Sequence, residues 1–223
     1  MQIKELKIYS SHLKEQTHFY TNVLGLTVVK LTEKNVVFQM GKSMLNIEYK
    51  PKTTPYHFAI NIPSNKEIEA LHWVKSKVNI LMNGSQEIQD FEFWNAKAIY
   101  FYDSDQNIVE LIARKNLNNS SEQKFDTDQL IEISEIGLPT KDIEKEFIQL
   151  NSITGIKIYD GDFDRFCAIG DENGLFICIN KTIKDWFPTN DKAFSSDFEI
   201  KLTEKGKTYQ IAYKNEKIQM IEG

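Results

Sequence analysis

The sequence predicts an α+β fold made of tandem β-α-β-β-β units in two halves, with the last unit shortened. Three observations support this prediction. Segments that alternate apolar and polar residues, as strands do, are interrupted by segments with a helical apolar stripe, in the order strand, helix, strand, strand, strand. The order recurs about every 50 residues, which indicates an internal repeat. A polar stretch without periodicity, residues 115–124, separates the two halves.

The first unit opens with an alternating strand, QIKELKIYS, in which Leu6 and Ile8 share a face. A helix is expected next, with Ser11 as its N-cap and Gly25 just after its end. Three further strands are expected in the segments LTVVKLT, NVVFQMG and SMLNIEYK.

The second unit repeats this order. YHFAINIP predicts a strand, and NKEIEALHWVKSKV predicts a helix that Ser64 and Glu67 would start as a capping box. The strands expected to follow are MNGSQEI, KAIYFYDSD and IVELIAR. Residues 1–114 are therefore expected to form a complete domain of two units.

The second half starts again after the expected linker at 115–124. LIEISEIGLP predicts a strand, KDIEKEFIQL a helix, and GIKIYDG, DRFCAIG and LFICINK three strands. The last stretch predicts three strands, but only TEKG stands where a helix should be. Residues 125–223 are expected to form a second, degenerate domain.

Composition excludes several classes of protein. The 223 residues are 41% hydrophobic and 26% charged, as in an ordinary globular protein. The net charge of −5 gives no positive field for nucleic acid or an anionic membrane. Cys167 and Cys178 lie in separate apolar runs and are expected to be reduced core residues. The N-terminal segment has no apolar signal region, so a cytoplasmic location is expected.

Three segments together resemble a known group of proteins. FYTNVLGLTVV, YHFAINIP and AIYFYDSDQNIVELIAR, in this order and spacing, look like the vicinal oxygen chelate superfamily, which includes glyoxalases, extradiol dioxygenases and bleomycin-resistance proteins. The resemblance covers residues 1–114. It extends to the second half by the repeat, because EIGLPTKDIEKEF aligns with ELKIYSSHLKEQ and places Glu135 at the position of Glu5.

The resemblance implies one metal site in a cleft between paired units. Carried over residue by residue, its four candidate positions are Glu5, Asn46, His57 and Glu110. We expect Glu5, His57 and Glu110 to bind one divalent Fe, Mn, Ni or Zn ion, since imidazole and carboxylate suit these metals. Glu5 or Glu110 would also move a proton as a general base. Asn46 would contact the substrate.

Other residues complete the expected site. Lys7 shares a face with Glu5 and could neutralise Glu5 or Glu110 in place of a metal. Trp94 and Asn95 precede a strand, where a ring and an amide could line the mouth of a pocket. The sequence has no histidine after His72, so a second site of the same kind is not expected. Arg114 and Arg165 are the only arginines, and neither is expected near the site, which disfavours a highly phosphorylated substrate.

Three functions stay open at this point. The first is a metal-dependent lyase, isomerase or dioxygenase that acts on a small oxygenated substrate. The second is a metal-free protein of the bleomycin-resistance type that binds an aromatic or cationic compound. The third is an interaction scaffold, which a closed cleft would favour. The expected partners are a small-molecule substrate, without nucleic acid or membrane, in a monomer or a homodimer.

Overall fold

The computed structural model describes residues 1–221, and within this range the chain forms two mixed β-sheets and three α-helices. The helices are α1 (Leu13–His18), α2 (Glu67–Lys75) and α3 (Ile143–Thr154). The strands are β1 (Gln2–Ser10), β2 (Thr27–Leu31), β3 (Asn35–Met40), β4 (Ser43–Tyr49), β5 (His57–Ile62), β6 (Ile80–Leu81), β7 (Gln89–Phe91), β8 (Ala96–Tyr102), β9 (Ile108–Arg114), β10 (Glu132–Thr140), β11 (Ile158–Gly161), β12 (Phe166–Asp171), β13 (Gly174–Asn180), β14 (Phe198–Glu204), β15 (Lys207–Lys214) and β16 (Lys217–Met220).

The α+β class is confirmed, and the β-α-β-β-β order recurs in the first and third units, whereas the second unit has two short strands, β6 and β7, where one strand is expected. The first three units each carry a helix, and a π-helical turn at Phe19–Val23 extends α1. The fourth unit is shortened as expected, because a turn at Lys205–Gly206 joins β14 directly to β15.

Local starts and ends differ from the prediction at three places. Neither Ser11 nor Ser64 caps a helix: α1 starts after His12 and α2 after Lys66, and neither of these residues makes a side-chain cap hydrogen bond. The predicted strand MNGSQEI is mostly a turn, because Gly84 at φ +60° closes a tight bridge between Asn83 and Gln86.

The sheets combine units from both sides of residues 115–124. The seven-stranded sheet has the order β16-β15-β14-β1-β4-β3-β2, so it joins the first unit to the fourth. The nine-stranded sheet contains β11-β12-β13-β10-β5-β9-β8-β6, with β7 paired to β8, and joins the second unit to the third. The expected division at 115–124 therefore does not coincide with a boundary between sheets.

Antiparallel pairs make the two joins. β1 pairs with β14, and β5 pairs with β10. Both joins contain a β-bulge at corresponding places, between Ile3 and Glu5 in β1 and between Ile133 and Glu135 in β10. Because a bulge re-aims the side chains that follow it, the bulges set the orientation of Glu5 and Glu135.

One large hydrophobic core lies between the sheets and includes residues of α2 and α3. In β5, Phe58, Ile60 and Ile62 belong to this core, whereas Ala59 belongs to a smaller apolar cluster on the other face of the nine-stranded sheet. The alternation of side chains along each strand thus gives this sheet a second buried face, where the candidate site lies.

Within residues 1–221, none of the helices has the length and apolar character required to cross a membrane.

Candidate functional site

Three buried side chains converge on the second face of the nine-stranded sheet. β5 contributes His57, β9 contributes Glu110 and β10 contributes Glu135, from three adjacent strands. The His57 Nε2 atom lies 3.5 Å from Glu110 Oε2 and 3.9 Å from Glu135 Oε2. One ligand atom from each residue lies within 4.8 Å of the other two. The side chains are only 6%, 3% and 3% exposed, so they form the floor of the site.

The imidazole of His57 is held in one orientation. Its Nδ1 lies 3.2 Å from the carbonyl oxygen of Ile108, which can only accept a hydrogen bond. Nδ1 therefore carries the proton, and Nε2 presents its lone pair to the two carboxyl groups. Burial lowers the pKa of His57 to about 4, so the ring is neutral at neutral pH. This is the form of histidine that binds metals.

The two carboxyl groups resist ionisation. Burial raises the pKa of Glu110 well above its usual range, and the nearby charge of Glu135 raises it further. Burial also raises the pKa of Glu135, against the opposing effect of Arg114. Two carboxyl groups with one guanidinium leave one negative charge in excess, which a bound proton or a cation would balance.

Arg114 lies beside Glu135, on the same face of β9 as Glu110, and is fully buried. Its guanidinium donates to the carboxylate of Glu135, and its Nε donates to Asn61 Oδ1 at 3.2 Å. Its Nη1 has no hydrogen-bond partner within the described residues 1–221. The buried guanidinium keeps Glu135 in place and compensates its charge.

Above these residues opens a cavity of about 670 Å³ with aromatic walls. The Trp186 ring lies 4.9 Å from the His57 ring, centroid to centroid. The Trp94 ring packs against the guanidinium of Arg114, 5.4 Å from ring centroid to Cζ, and its Nε1 donates to Asp160. The other aromatic side chains of the lining are Phe91, Phe93, Tyr100, Phe166 and Phe187.

The predicted site residues divide between the two sheets. The structure brings His57 and Glu110 together and places Trp94 in the cavity lining. It does not bring Glu5 to them, because β1 belongs to the seven-stranded sheet. The expected ligand set therefore needs a correction: Glu135 occupies the place expected for Glu5.

Asn46 and Lys7 also lie on the seven-stranded sheet, away from the cavity. Asn46 donates to Glu5 Oε1 at 2.7 Å. The Lys7 Nζ atom lies 3.0 Å from Glu48 and 3.3 Å from Glu199, so it neutralises neither Glu5 nor Glu110. These residues form a polar surface on their own sheet instead of contacting a ligand in the cavity.

Asn95 differs from its expectation too. It adopts a left-handed conformation at φ 48°, after the turn that contains Trp94, and its amide donates to Asn116 Oδ1 at 2.9 Å. It is absent from the cavity lining, because its side chain binds Asn116. Its left-handed conformation is typical of asparagine in a turn.

Sequence reasoning missed most residues of the cavity lining, including Glu135, Arg165 and Lys184. A signal for Glu135 was present, since the repeat alignment places it at the position of Glu5. Arg165 and Lys184 line the cavity as well, which corrects the expectation that no arginine lies near the site. No sequence pattern pointed to them. Arg165 precedes β12 and Lys184 lies in the loop after β13, and the place of both segments relative to the site depends on how the third unit pairs with the second.

The register of the sheet identifies a fourth position. In β5 and β9, His57 pairs with Ile108, and Glu110 follows two residues later. In β10 and β13, Glu135 pairs with Leu175, and the residue two positions later is Ile177. Ile177 lines the cavity at the place that matches Glu110. The site therefore has three polar positions and one apolar position.

The chemistry of the three donors suits a divalent metal ion. Ligand atoms on an ion with bonds of about 2.1 Å lie about 3 to 4.2 Å apart, and both distances from His57 Nε2 fall within this range. A neutral imidazole and two carboxylates suit Fe, Mn, Ni or Zn, and three protein ligands leave positions for a substrate.

Comparison with known proteins shows likeness in structure. No protein-family model and no curated protein sequence matches the chain. A proposed dioxygenase from Bacillus subtilis subsp. subtilis str. 168 is similar with a TM-score of 0.59 and 17% identity, over 80% of this chain and 63% of that structure. A lactoylglutathione lyase from Agrobacterium tumefaciens is similar over 49% of this chain and 90% of its own, with 21% identity and a TM-score of 0.40.

A glyoxalase/bleomycin resistance protein/dioxygenase from Nocardioides is similar over 56% of this chain and 87% of its own, with 19% identity and a TM-score of 0.42. Identity this low supports a statement about the fold, which the order of units and the paired sheets support independently. The chain shares the fold of the dioxygenase-like structure from Bacillus subtilis, which agrees with the fold that the sequence predicts.

Proposed function

We propose that the chain is a divalent-metal-dependent enzyme of the glyoxalase or dioxygenase type, acting on a small oxygenated substrate in the aromatic cavity. One observation supports this function above all: His57 Nε2 and the carboxyl groups of Glu110 and Glu135 meet at the buried end of the cavity. The reaction could be a lyase, isomerase or dioxygenase reaction, all of which begin with a substrate that presents oxygen atoms to a metal.

Each residue has a distinct role in this proposal. His57, Glu110 and Glu135 would hold the ion, which as a Lewis acid would polarise neighbouring oxygen atoms of the substrate. Glu110 would also be the acid or base of the site, because its carboxyl group lines the cavity beside the place of the ion. Arg114 keeps Glu135 oriented. The aromatic walls exclude water from the substrate.

The metal content of purified protein tests the proposal. Protein prepared without a His tag should contain about one equivalent of Fe, Mn, Ni or Zn by elemental analysis. Glu135→Gln and His57→Ala should each lower metal affinity more than about tenfold, since each removes a ligand. Glu5→Gln is the matched control, because Glu5 lies on the other sheet.

Two results would contradict this function. One is protein that takes up no divalent metal even when it is supplied. The other is loss of metal in Glu5→Gln together with retention in Glu135→Gln, which would restore the ligand set expected from sequence.

A second candidate is metal-free binding of an organic cation. The Arg114–Glu135 ion pair and the apolar Ile177 favour it, because the carboxyl groups then need only one further positive charge. Aromatic walls also attract cations. Calorimetric titration with a quaternary ammonium ion that carries an aromatic ring separates the two functions. This candidate would be supported if the metal-free protein binds the organic cation and if added Zn²⁺ does not weaken that binding.

The third function, an interaction scaffold, would need a closed cleft. The 670 Å³ cavity has exposed residues such as Phe93 in its lining, so within residues 1–221 the cleft is open to solvent. An open cleft does not favour a scaffold.

A further inference from the structure

Two cationic side chains lie at the outer end of the cavity. Arg165 precedes β12 and is exposed, and Lys184 lies in the loop after β13 and is half-buried. Both line the cavity whose buried end holds His57, Glu110 and Glu135. Within residues 1–221, neither cation forms an ion pair or a side-chain hydrogen bond to a carboxylate.

The two cations line the same cavity. Burial lowers the pKa of Lys184, and the nearby charge of Arg165 lowers it further, by more than the adjacent Asp185 raises it. Like charges that line one cavity repel each other, so an anionic group bound in the cavity would be attracted to both.

Acidic residues of the same lining do not fill this role. The Asp160 carboxylate accepts from Trp94 Nε1 and from the backbone N–H of Gly161, and Asp90 lies 3.8 Å from Lys97 Nζ. Glu92 is exposed, on the segment that leads to Trp94. Asp90 and Glu92 belong to the second unit, whereas Arg165 and Lys184 belong to the third unit and the loop that follows it.

We propose that Arg165 and Lys184 form an anion-binding subsite, and that the ligand is an aromatic compound with a carboxylate or another oxyanion at its outer end. The ring would lie between the aromatic walls, and the opposite end would reach the floor of the site. This inference rests on the proposed function, because it takes the cavity as the substrate site. It narrows the substrate class to aromatic or other flat acids.

A matched pair of probes tests the subsite without the metal. β-Naphthoate and β-naphthamide have nearly the same shape and differ in charge. In calorimetric titrations of protein treated with a chelator, we expect naphthoate to bind about tenfold more tightly, since each of two partly exposed cations contributes modestly. High salt should reduce this preference, because salt screens exposed charges.

Variants locate the effect. Arg165→Gln combined with Lys184→Gln should abolish the preference for naphthoate and leave naphthamide binding unchanged. Lys30→Gln combined with Lys34→Gln is the matched control, since it removes the same charge from exposed positions in β2 and in the turn that follows it. The single variants Arg165→Gln and Lys184→Gln should each lose part of the preference, and they serve if the double variant does not fold.

Three outcomes would overturn the subsite: equal binding of the two probes, a preference that survives in the Arg165 and Lys184 double variant, or no detectable binding of naphthoate. Failure of the proposed function has a different signature. Protein that prefers naphthoate but takes up no metal contradicts the metal centre alone, whereas protein that binds metal but shows no preference contradicts the subsite alone.

Discussion

Glu110 and Glu135 share a buried site, but only Glu135 has a cation beside it. The Arg114 guanidinium donates to Glu135 and not to Glu110, although Arg114 and Glu110 lie on the same strand. Burial raises the pKa of both carboxyl groups, but the hydrogen bond from Arg114 opposes this rise at Glu135, so Glu135 is the more readily ionised of the two. Two similar groups thus obtain separate chemical roles from their surroundings.

Removing the Arg114 guanidinium should destabilise the fold. In Arg114→Met, the Glu135 carboxylate would be left buried without a partner, which costs about 3 to 5 kcal/mol of unfolding free energy. Urea denaturation at neutral pH measures the change. Arg165→Met is the control, because Arg165 is exposed, and its effect should stay within about 0.5 kcal/mol. Equal losses in both variants would show that the buried pair does not stabilise the protein.

Asp103 should make stability depend on pH. Burial raises the pKa of this carboxyl to about 6, although Tyr20 and Asn107 donate hydrogen bonds to it. Because the raised pKa favours the neutral form in the folded state, its stabilising effect is complete below about pH 4 and is lost as pH rises through about 6.

The Asp103→Asn variant isolates this effect. The unfolding free energy of the unmodified protein, relative to the variant, should fall by about 3 kcal/mol between about pH 4 and about pH 7. Urea denaturation of both proteins across this range provides the measurement. A difference that does not change with pH would mean that Asp103 is ionised throughout.

At the scale of elements, β10 combines two requirements in one strand. Its bulge orients Glu135 toward the site, and two residues later Gly137 leaves room for the Trp186 ring. The sequence predicts this strand from its alternation. It does not predict that a tryptophan from a loop almost 50 residues later covers the glycine.

Gly137→Ala should therefore change the cavity more than the fold. A Cβ atom at this position would lie 2.7 Å from the Trp186 ring, so the ring has to move. We expect a stability loss of about 1 to 3 kcal/mol and a changed tryptophan emission spectrum. Trp186→Phe in the same chain should recover part of the loss, because the smaller ring removes the clash. An unchanged spectrum in Gly137→Ala would contradict the contact.

At the scale of the molecule, the sequence predicts the units and not their partners. Apolar alternation within a strand, as at Phe58 and Ile60, identifies a strand and its buried face. The neighbour of that strand depends on contacts between units that share the same pattern, so Glu5 and Glu135 are equivalent by sequence. Only the three-dimensional pairing of β5 with β10 distinguishes them.

The first unit pairs with the fourth and the second with the third, so we expect the two halves to stay associated after cleavage between them. A protease site placed at the exposed residues 122–124 would separate the first two units from the rest. We expect the cut protein to elute as one species in size-exclusion chromatography, because two antiparallel joins cross the cut. Its metal content should remain unchanged.

Under denaturing conditions the same sample should show two fragments, which controls for complete cleavage. Elution of the halves as two separate species under native conditions would contradict the sheet order.

The second unit pairs with the third, and the first unit pairs with the fourth, which is synthesised last. This order of pairing has a consequence for synthesis on the ribosome. Chains emerge from the N-terminus, so β5 finds its partner β10 once about 140 residues are free, whereas β1 must wait for β14. The sheet with His57, Glu110 and Glu135 can therefore assemble first. During this interval the partner-facing edge of β1 lacks its neighbour, and the nascent protein is most exposed to aggregation at that edge.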